Sequence, residues 1–294
     1  MNLPAQIAVP ESRDAITKRV QQLLRAADVD GIIPTPRDAI LRSAKLVESG
    51  DLDLALYEES FMDKAKGFLH KAFGKVFGFL DFRRELVYVD PTLPLTKRNF
   101  VTFHEITHRV LPWQGVIYTE EDHSTVTPEC KDIFESEANF GASELLFQAS
   151  FEKEAADYNV SIPSVLELAS RYEASIHASM RRFVERHHES CAVLILKRTR
   201  REYENGDHSY VLCYPIASSP FLNHFGMPFQ NRFLNPDDQI CDILNGGRLG
   251  SIFLRDINGK PHEFSVEPFD SGYSIFALLS LPSSRRSKIT ALFG

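Results

Sequence analysis

Apolar positions in the first two thirds of the chain recur mostly at helical spacing. Residues 12–28 place Ile16, Val20, Leu23 and Leu24 on one side, which predicts an amphipathic helix. Pro34 and Pro36 interrupt the pattern, and further helical stretches are expected at 37–48 and 54–74. The period then shortens. Val76–Phe82 and Glu85–Val89 flank Arg83-Arg84 as two short strands of a hairpin, closed off by Pro91 and Pro94. Helical spacing returns from Arg98 to Leu111 and stops at Pro112, because the residue before a proline is biased away from the helix. Residues 113–128 read as loop and 129–147 as helix. Two more helices are expected at 151–158 and 163–187. Within the second, Ser164–Glu185 has the outline of a helix-turn-helix with its turn at Ala174-Ser175.

From Ser190 onward the pattern is β-like. Strands are predicted at 191–198 and 210–217 around the turn signal Glu204-Asn205-Gly206-Asp207. Others follow at Ser251–Arg255, at His262–Val266 beyond the Asn258-Gly259 turn, and at Tyr273–Leu281, with a helix near 236–245. The fold class is therefore α+β: a mostly helical region with a small sheet, then a sheet-rich region. The predicted division is 1–148, a helix-turn-helix-like extension over 149–189, and 190–294.

Composition narrows the function. The 294 residues carry 33 basic and 40 acidic side chains, a net charge of −7, which argues against a dedicated nucleic-acid binder. An apolar share of 43 % suffices for a sizeable core. No apolar run approaches the roughly 20 residues of a membrane span, and the N-terminus lacks the pattern of a secretory signal. The four cysteines contain no CxxC pair, so a cytoplasmic protein with free thiols is expected.

The chemistry lies in His104-Glu105-Ile106-Thr107-His108, an HExxH motif. On a helix, positions i and i+4 share a face, so both imidazoles can reach one metal ion. Glu105 is rotated about 100° from His104 and can reach a water on that metal without ligating it. This suits a zinc hydrolase with two His, a third protein ligand and a carboxylate base. The helix at 129–147 offers Glu135 or Glu137, which point about 200° apart. Glu135 shares a face with Asn139, Ala142 and Leu146, which reads as buried. Glu137 shares one with Gly141, Glu144 and Gln148, which reads as solvated. Glu135 is the expected ligand. Asn139, one turn on, is placed to accept from the non-ligating nitrogen of a zinc histidine and fix its tautomer.

Arg98–His108 (RNFVTFHEITH) and Glu135–Phe147 (ESEANFGASELLF) resemble the ImmA/IrrE-type zinc metallopeptidases in order and spacing, most closely over 76–148. Val101 and Gly141 depart from the family pattern, and neither removes a candidate ligand. The resemblance implies a zincin-like domain in which His104, His108 and Glu135 bind Zn2+ and Glu105 is the general base. It also implies regulated proteolysis of a helix-turn-helix transcriptional repressor in a stress or mobile-element response. The rival expectation is a zinc-containing regulator that works by binding DNA or protein without essential proteolysis. Arg181, Arg182 and Arg186 give the helix-turn-helix-like segment some positive charge, yet the acidic whole disfavours DNA. The sheet-rich C-terminal region is expected to be sensory (GAF-like) or partner-binding. Tyr118, His123 and the pair His187-His188 are candidates for stabilising an oxyanion.

Overall fold

The computed structural model describes residues 12–50, 78–115, 128–202, 208–231, 233–235 and 237–282. The stretch 54–74, expected to be helical, lies outside them, as do Tyr118 and His123. Among the described residues the chain divides into two compact units. One runs to Phe151 and takes in Leu168–Ala178. The other comprises Glu152–Glu167 and everything from Ser179.

The first unit is built on α1 (Arg13–Ala26), α2 (Arg37–Ser43), β1 (Val47–Ser49), β2 (Gly78–Asp81), β3 (Leu86–Val89), α3 (Leu95–Val110) and α4 (Pro128–Phe147). The expected hairpin is present: β2 and β3 are antiparallel, with Asp81 opposite Leu86. Asp81 Oδ1 accepts from the backbone N–H groups of Arg83 and Arg84 and so closes the turn. β1 pairs with β3 in parallel, giving the order β1-β3-β2. That strand occupies the end of a segment expected to be helix over 37–48. The helix stops at Ser43 because Lys45 takes a left-handed conformation, φ 56°.

α3 buries Asn99, Thr102, Phe103, Ile106, Thr107 and His108, a stripe at the i, i+3, i+4, i+7 spacing. Its last residue precedes Leu111 and Pro112, and the chain then makes one helical turn over 112–115. α4 packs across both α1 and α3. The approach to α3 is close enough that a Cβ on Gly141 would lie 2.3 Å from Thr107 Cγ2. Ala138 and Ala142 are likewise fully buried. At the far end of this unit the rings of Phe147, Phe151 and Tyr172 pack together, with centroids 4.8–5.8 Å apart.

Beyond α5 (Ser150–Ala155) come α6 (Ile162–Arg171) and α7 (Ile176–Arg186). They replace one continuous helix over 163–187, because Glu173 adopts φ 47° and breaks it. The two-helix outline read from Ser164–Glu185 is thus present as secondary structure.

The second unit carries a six-stranded antiparallel sheet of order β6-β5-β4-β9-β8-β7. Its strands are β4 (Cys191–Glu202), β5 (His208–Ala217), β6 (Phe233–Leu234), β7 (Gly250–Arg255), β8 (Pro261–Asp270) and β9 (Ile275–Ser280). One face packs on α8 (Ser219–Phe225) and α9 (Gln239–Gly246) through Phe221, Phe225, Ile240 and Leu244 against Leu194, Leu196, Phe264 and Leu279. In β4 the run from Cys191 to Leu196 is buried on both faces, which explains its six consecutive apolar residues. No described helix is long and apolar enough to cross a membrane.

Candidate metal centre

α3 presents His104 and His108 one turn apart, their rings edge to face with centroids 4.7 Å apart. The two Nε2 atoms are 3.1 Å from each other. α4 brings Glu135 to the same point, with Oε2 3.2 Å from His104 Nε2 and Oε1 3.7 Å from His108 Nε2. Among the described residues this is the one cluster of three such side chains with ligand geometry. Donors at about 2.0–2.1 Å from a tetrahedral ion stand about 3.3–3.4 Å apart, so these separations suit a single small divalent cation.

The outer nitrogens strengthen that reading. His104 Nδ1 lies 3.1 Å from Asn139 Oδ1, and His108 Nδ1 lies 2.6 Å from Gln114 Oε1. An amide oxygen only accepts, so each ring donates from Nδ1. A neutral ring bonded in this way turns a lone pair on Nε2 inward, towards its neighbour and towards a carboxylate, and without metal a proton on His104 Nε2 bridges to Glu135. Three electron-rich donors converging in this way call for a cation.

Electrostatics follow the same geometry. Burial alone would lower the His104 pKa, but its hydrogen bond to Glu135 and the charges of Glu105 and Glu135 raise it. Burial opposes ionisation of Glu135, yet the bond and charge of His104, with His108, hold it below the usual carboxylate range. His108 is pushed down to about 4, by burial first and then by His104. Glu105 is raised to about 7, chiefly by burial, with Glu135 adding to the rise and His104 opposing it. Strand β2 comes against Glu105 at Gly78, where a Cβ would lie 2.9 Å from Glu105 Oε1 and 2.4 Å from Val101 Cγ1.

Of the residues singled out from the sequence, His104, His108, Glu135 and Asn139 are brought together, with Glu105 on the same helix beside them. The environment of α4 differs from expectation. The stripe Glu137, Glu144 and Gln148, read as solvated, is only 4 %, 7 % and 2 % exposed. Glu135 and Asn139, read as buried, reach solvent more: the Glu135 side chain is 41 % exposed and Asn139 is exposed. The reason is that the polar stripe faces inward with partners. Glu137 accepts from Ser12, from Trp113 Nε1 at 2.7 Å and from Gln114 Nε2 at 2.6 Å. Gln148 accepts from the Gly31 N–H and donates to Thr35 Oγ1 and to the carbonyl of Ile32. Hydropathy cannot separate a wet polar stripe from a buried, fully bonded one. Gln114 is the residue that sequence reasoning missed. It fell in a predicted loop with only its distance from His108 as a clue. His187 and His188 belong to the second unit, where the rings stack and His187 contacts the Tyr158 carbonyl.

Residues 50–183 match the family Peptidase_M78, the IrrE N-terminal-like domain. This segment belongs to the ImmA/IrrE metallopeptidase family. The match covers the motif helix, the ligand helix and the hairpin. The matched segment contains the candidate His104-His108-Glu135 cluster. Among solved structures, a Mycobacterium tuberculosis transcriptional regulator is similar in fold, with a TM-score of 0.51 and 11 % identity, over 92 % of this chain and 80 % of that one. No curated protein matches the sequence.

Proposed function

We propose that this protein is a zinc-dependent endopeptidase that cleaves a helix-turn-helix transcriptional repressor in the cytoplasm. The observation that carries the catalytic part is the convergence of His104 Nε2, His108 Nε2 and a Glu135 carboxylate oxygen with both Nδ1 atoms turned outward. Two imidazoles and one carboxylate form a donor set typical of catalytic zinc. Bound there, zinc would supply a Lewis acid able to activate water and polarise a peptide carbonyl.

The chain's own groups do the rest. Glu105 takes a proton from the attacking water and delivers it to the leaving amine. Glu105 lies on the same helix as both histidines, one residue after His104, with strand β2 packed against its carboxylate at Gly78. β2, an outer strand among the described residues, offers backbone groups beside Glu105 to which an extended substrate segment can pair. The repressor as substrate rests on the family, and the fold of the regulator neighbour is compatible with a role in transcription control. All four cysteines are free, which suits a reducing compartment.

The alternative, a zinc-containing regulator that binds DNA, is weakened by the arginines of α7. Arg181 pairs with Glu185 at 2.8 Å, Arg186 pairs with Glu152 at 3.0 Å, and Arg182 is 4 % exposed. Phosphate contacts need such cations free. The test is incubation of the zinc-loaded protein with candidate helix-turn-helix repressors. Discrete fragments that EDTA prevents are expected. Binding of the repressor with no cleavage under any metal loading would favour the alternative.

A further inference from the structure

Glu137, Gln114 and His108 form a buried hydrogen-bonded chain that runs outward from the candidate metal ligands. Glu137 is 4 % exposed, Gln114 0 % and His108 6 %. We propose that Glu137, acting through Gln114, is a positioning residue that fixes the ring tautomer of His108 and so sets the affinity of the metal centre. The inference rests on the reading of His104, His108 and Glu135 as metal ligands.

The logic runs inward from the carboxylate. The indole N–H of Trp113 and the amide NH₂ of Gln114 are donors that accept nothing. Both meet Glu137 Oε2, at 2.7 and 2.6 Å, while Ser12 Oγ donates to Oε1. The same Gln114 nitrogen also faces the Phe134 carbonyl at 3.4 Å. With its nitrogen held by acceptors, Gln114 has its oxygen turned to His108 Nδ1, 2.6 Å away. That oxygen requires a hydrogen on Nδ1. A neutral imidazole carries one N–H, so Nε2 keeps the lone pair, and Nε2 is the atom aimed at His104 and Glu135.

Remove the acceptor at 137 and, among the described residues, only the longer contact to the Phe134 carbonyl, 3.4 Å, still holds the Gln114 amide against turning over. Once turned, its NH₂ would face Nδ1, favour the opposite tautomer and place a hydrogen where the metal must bind. A glutamine at 137 keeps the relay. Its oxygen takes the Trp113 and Gln114 donors, and its nitrogen faces Ser12 Oγ, which can accept. The charge at 137 is therefore dispensable and the acceptor is not.

The experiment uses the full chain and zinc alone as probe. Zinc dissociation constants are measured by competition with a chromophoric chelator for the parent, Gln114→Met, Glu137→Met and Glu137→Gln. Thermal melts of the metal-free proteins control for folding. Gln114→Met and Glu137→Met should bind zinc about 10–100-fold more weakly, the usual cost of losing a partner of a ligating histidine. Glu137→Gln should stay within about threefold of the parent. Should a Met variant not fold, NMR of the metal-free parent decides: a His108 ring with its hydrogen on Nδ1 supports the relay, and the opposite tautomer overturns it. Parental affinity in a folded Gln114→Met, or equal weakening by Glu137→Met and Glu137→Gln, overturns the relay while leaving the metal site intact. A parent that takes up no zinc overturns the site and the relay together.

Discussion

Thr107 of α3 and Gly141 of α4 touch side chain to backbone: a methyl at 141 would sit 2.3 Å from Thr107 Cγ2 and 2.8 Å from its Oγ1. Thr107 cannot easily yield, since its hydroxyl donates to the Phe103 carbonyl at 2.7 Å and its side chain is fully buried. Gly141→Ala must therefore push the helices apart. A loss of about 1–3 kcal/mol is expected from overpacking. Zinc affinity should fall with it, because the same two helices carry the histidines and Glu135. Denaturant unfolding and chelator competition measure the two effects.

Glu105→Gln should keep zinc and lose cleavage by at least about 10²–10⁴-fold, the contribution of a positioned base. It also has a signature independent of substrate. The folded pKa of Glu105, about 7, is raised above the ordinary 4.5. Its contribution to stability is therefore complete below pH 4.5 and is lost as pH rises through 7, by up to about 3 kcal/mol at 1.36 kcal/mol per pKa unit. The metal-free Glu105→Gln protein should thus outlast the parent in urea at pH 8 and match it below pH 4.5.

His104 and Glu135 form an ion pair when metal is removed, and their shifts have opposite signs. The raised His104 contributes stability below its ordinary 6.5 that is lost as pH rises through its folded pKa. The lowered Glu135 contributes stability above its ordinary 4.5 that is lost as pH falls through its folded pKa. The metal-free protein should gain most from this pair between about pH 4.5 and 6.5, and Glu135→Gln should flatten that gain. Zinc needs His104 deprotonated, so uptake at pH 6.5 should release a proton and weaken as pH falls. Calorimetry in two buffers of different ionisation enthalpy reads the proton count.

Gly78→Ala separates the base from the metal. The added methyl would overlap Val101 and crowd Glu105, and its three nearest atoms belong to those two residues and to none of the candidate ligands. Zinc affinity should hold and cleavage should drop. Equal losses in both would mean that β2 supports the ligands themselves.

Gln148→Ala tests the buried polar stripe away from the metal. Gln148, at φ 51° just past the end of α4, ties the 29–35 segment through Gly31, Ile32 and Thr35. Leaving those groups without partners costs about 1–3 kcal/mol each where they stay dry. The melting temperature should fall and the zinc dissociation constant should stay put.

The motif helix, its stop at Pro112, the β2–β3 hairpin and the antiparallel sheet were all legible because each follows from a local period or a breaker. His104 and His108 could be paired from spacing alone, since 3.6 residues per turn puts i and i+4 on one face, whereas Glu135 was preferred to Glu137 on a burial pattern that the structure reverses. β1 escaped because a three-residue strand leaves no periodic trace. The inward turn of Glu137, Glu144 and Gln148 escaped for a different reason: their partners come from Ser12, Trp113 and the segment around Gly31, and no local window joins those positions. Gln114 needed the fold before its role beside His108 could be seen.

α4 steadies both imidazoles at once. From one side Asn139 fixes the first ring, and from the other Glu137 reaches the second through an amide. A rod that grips two rings cannot release one alone, so a small roll of this helix about its axis would disarm both together. The centre stands or falls as a whole with the seating of a single cylinder.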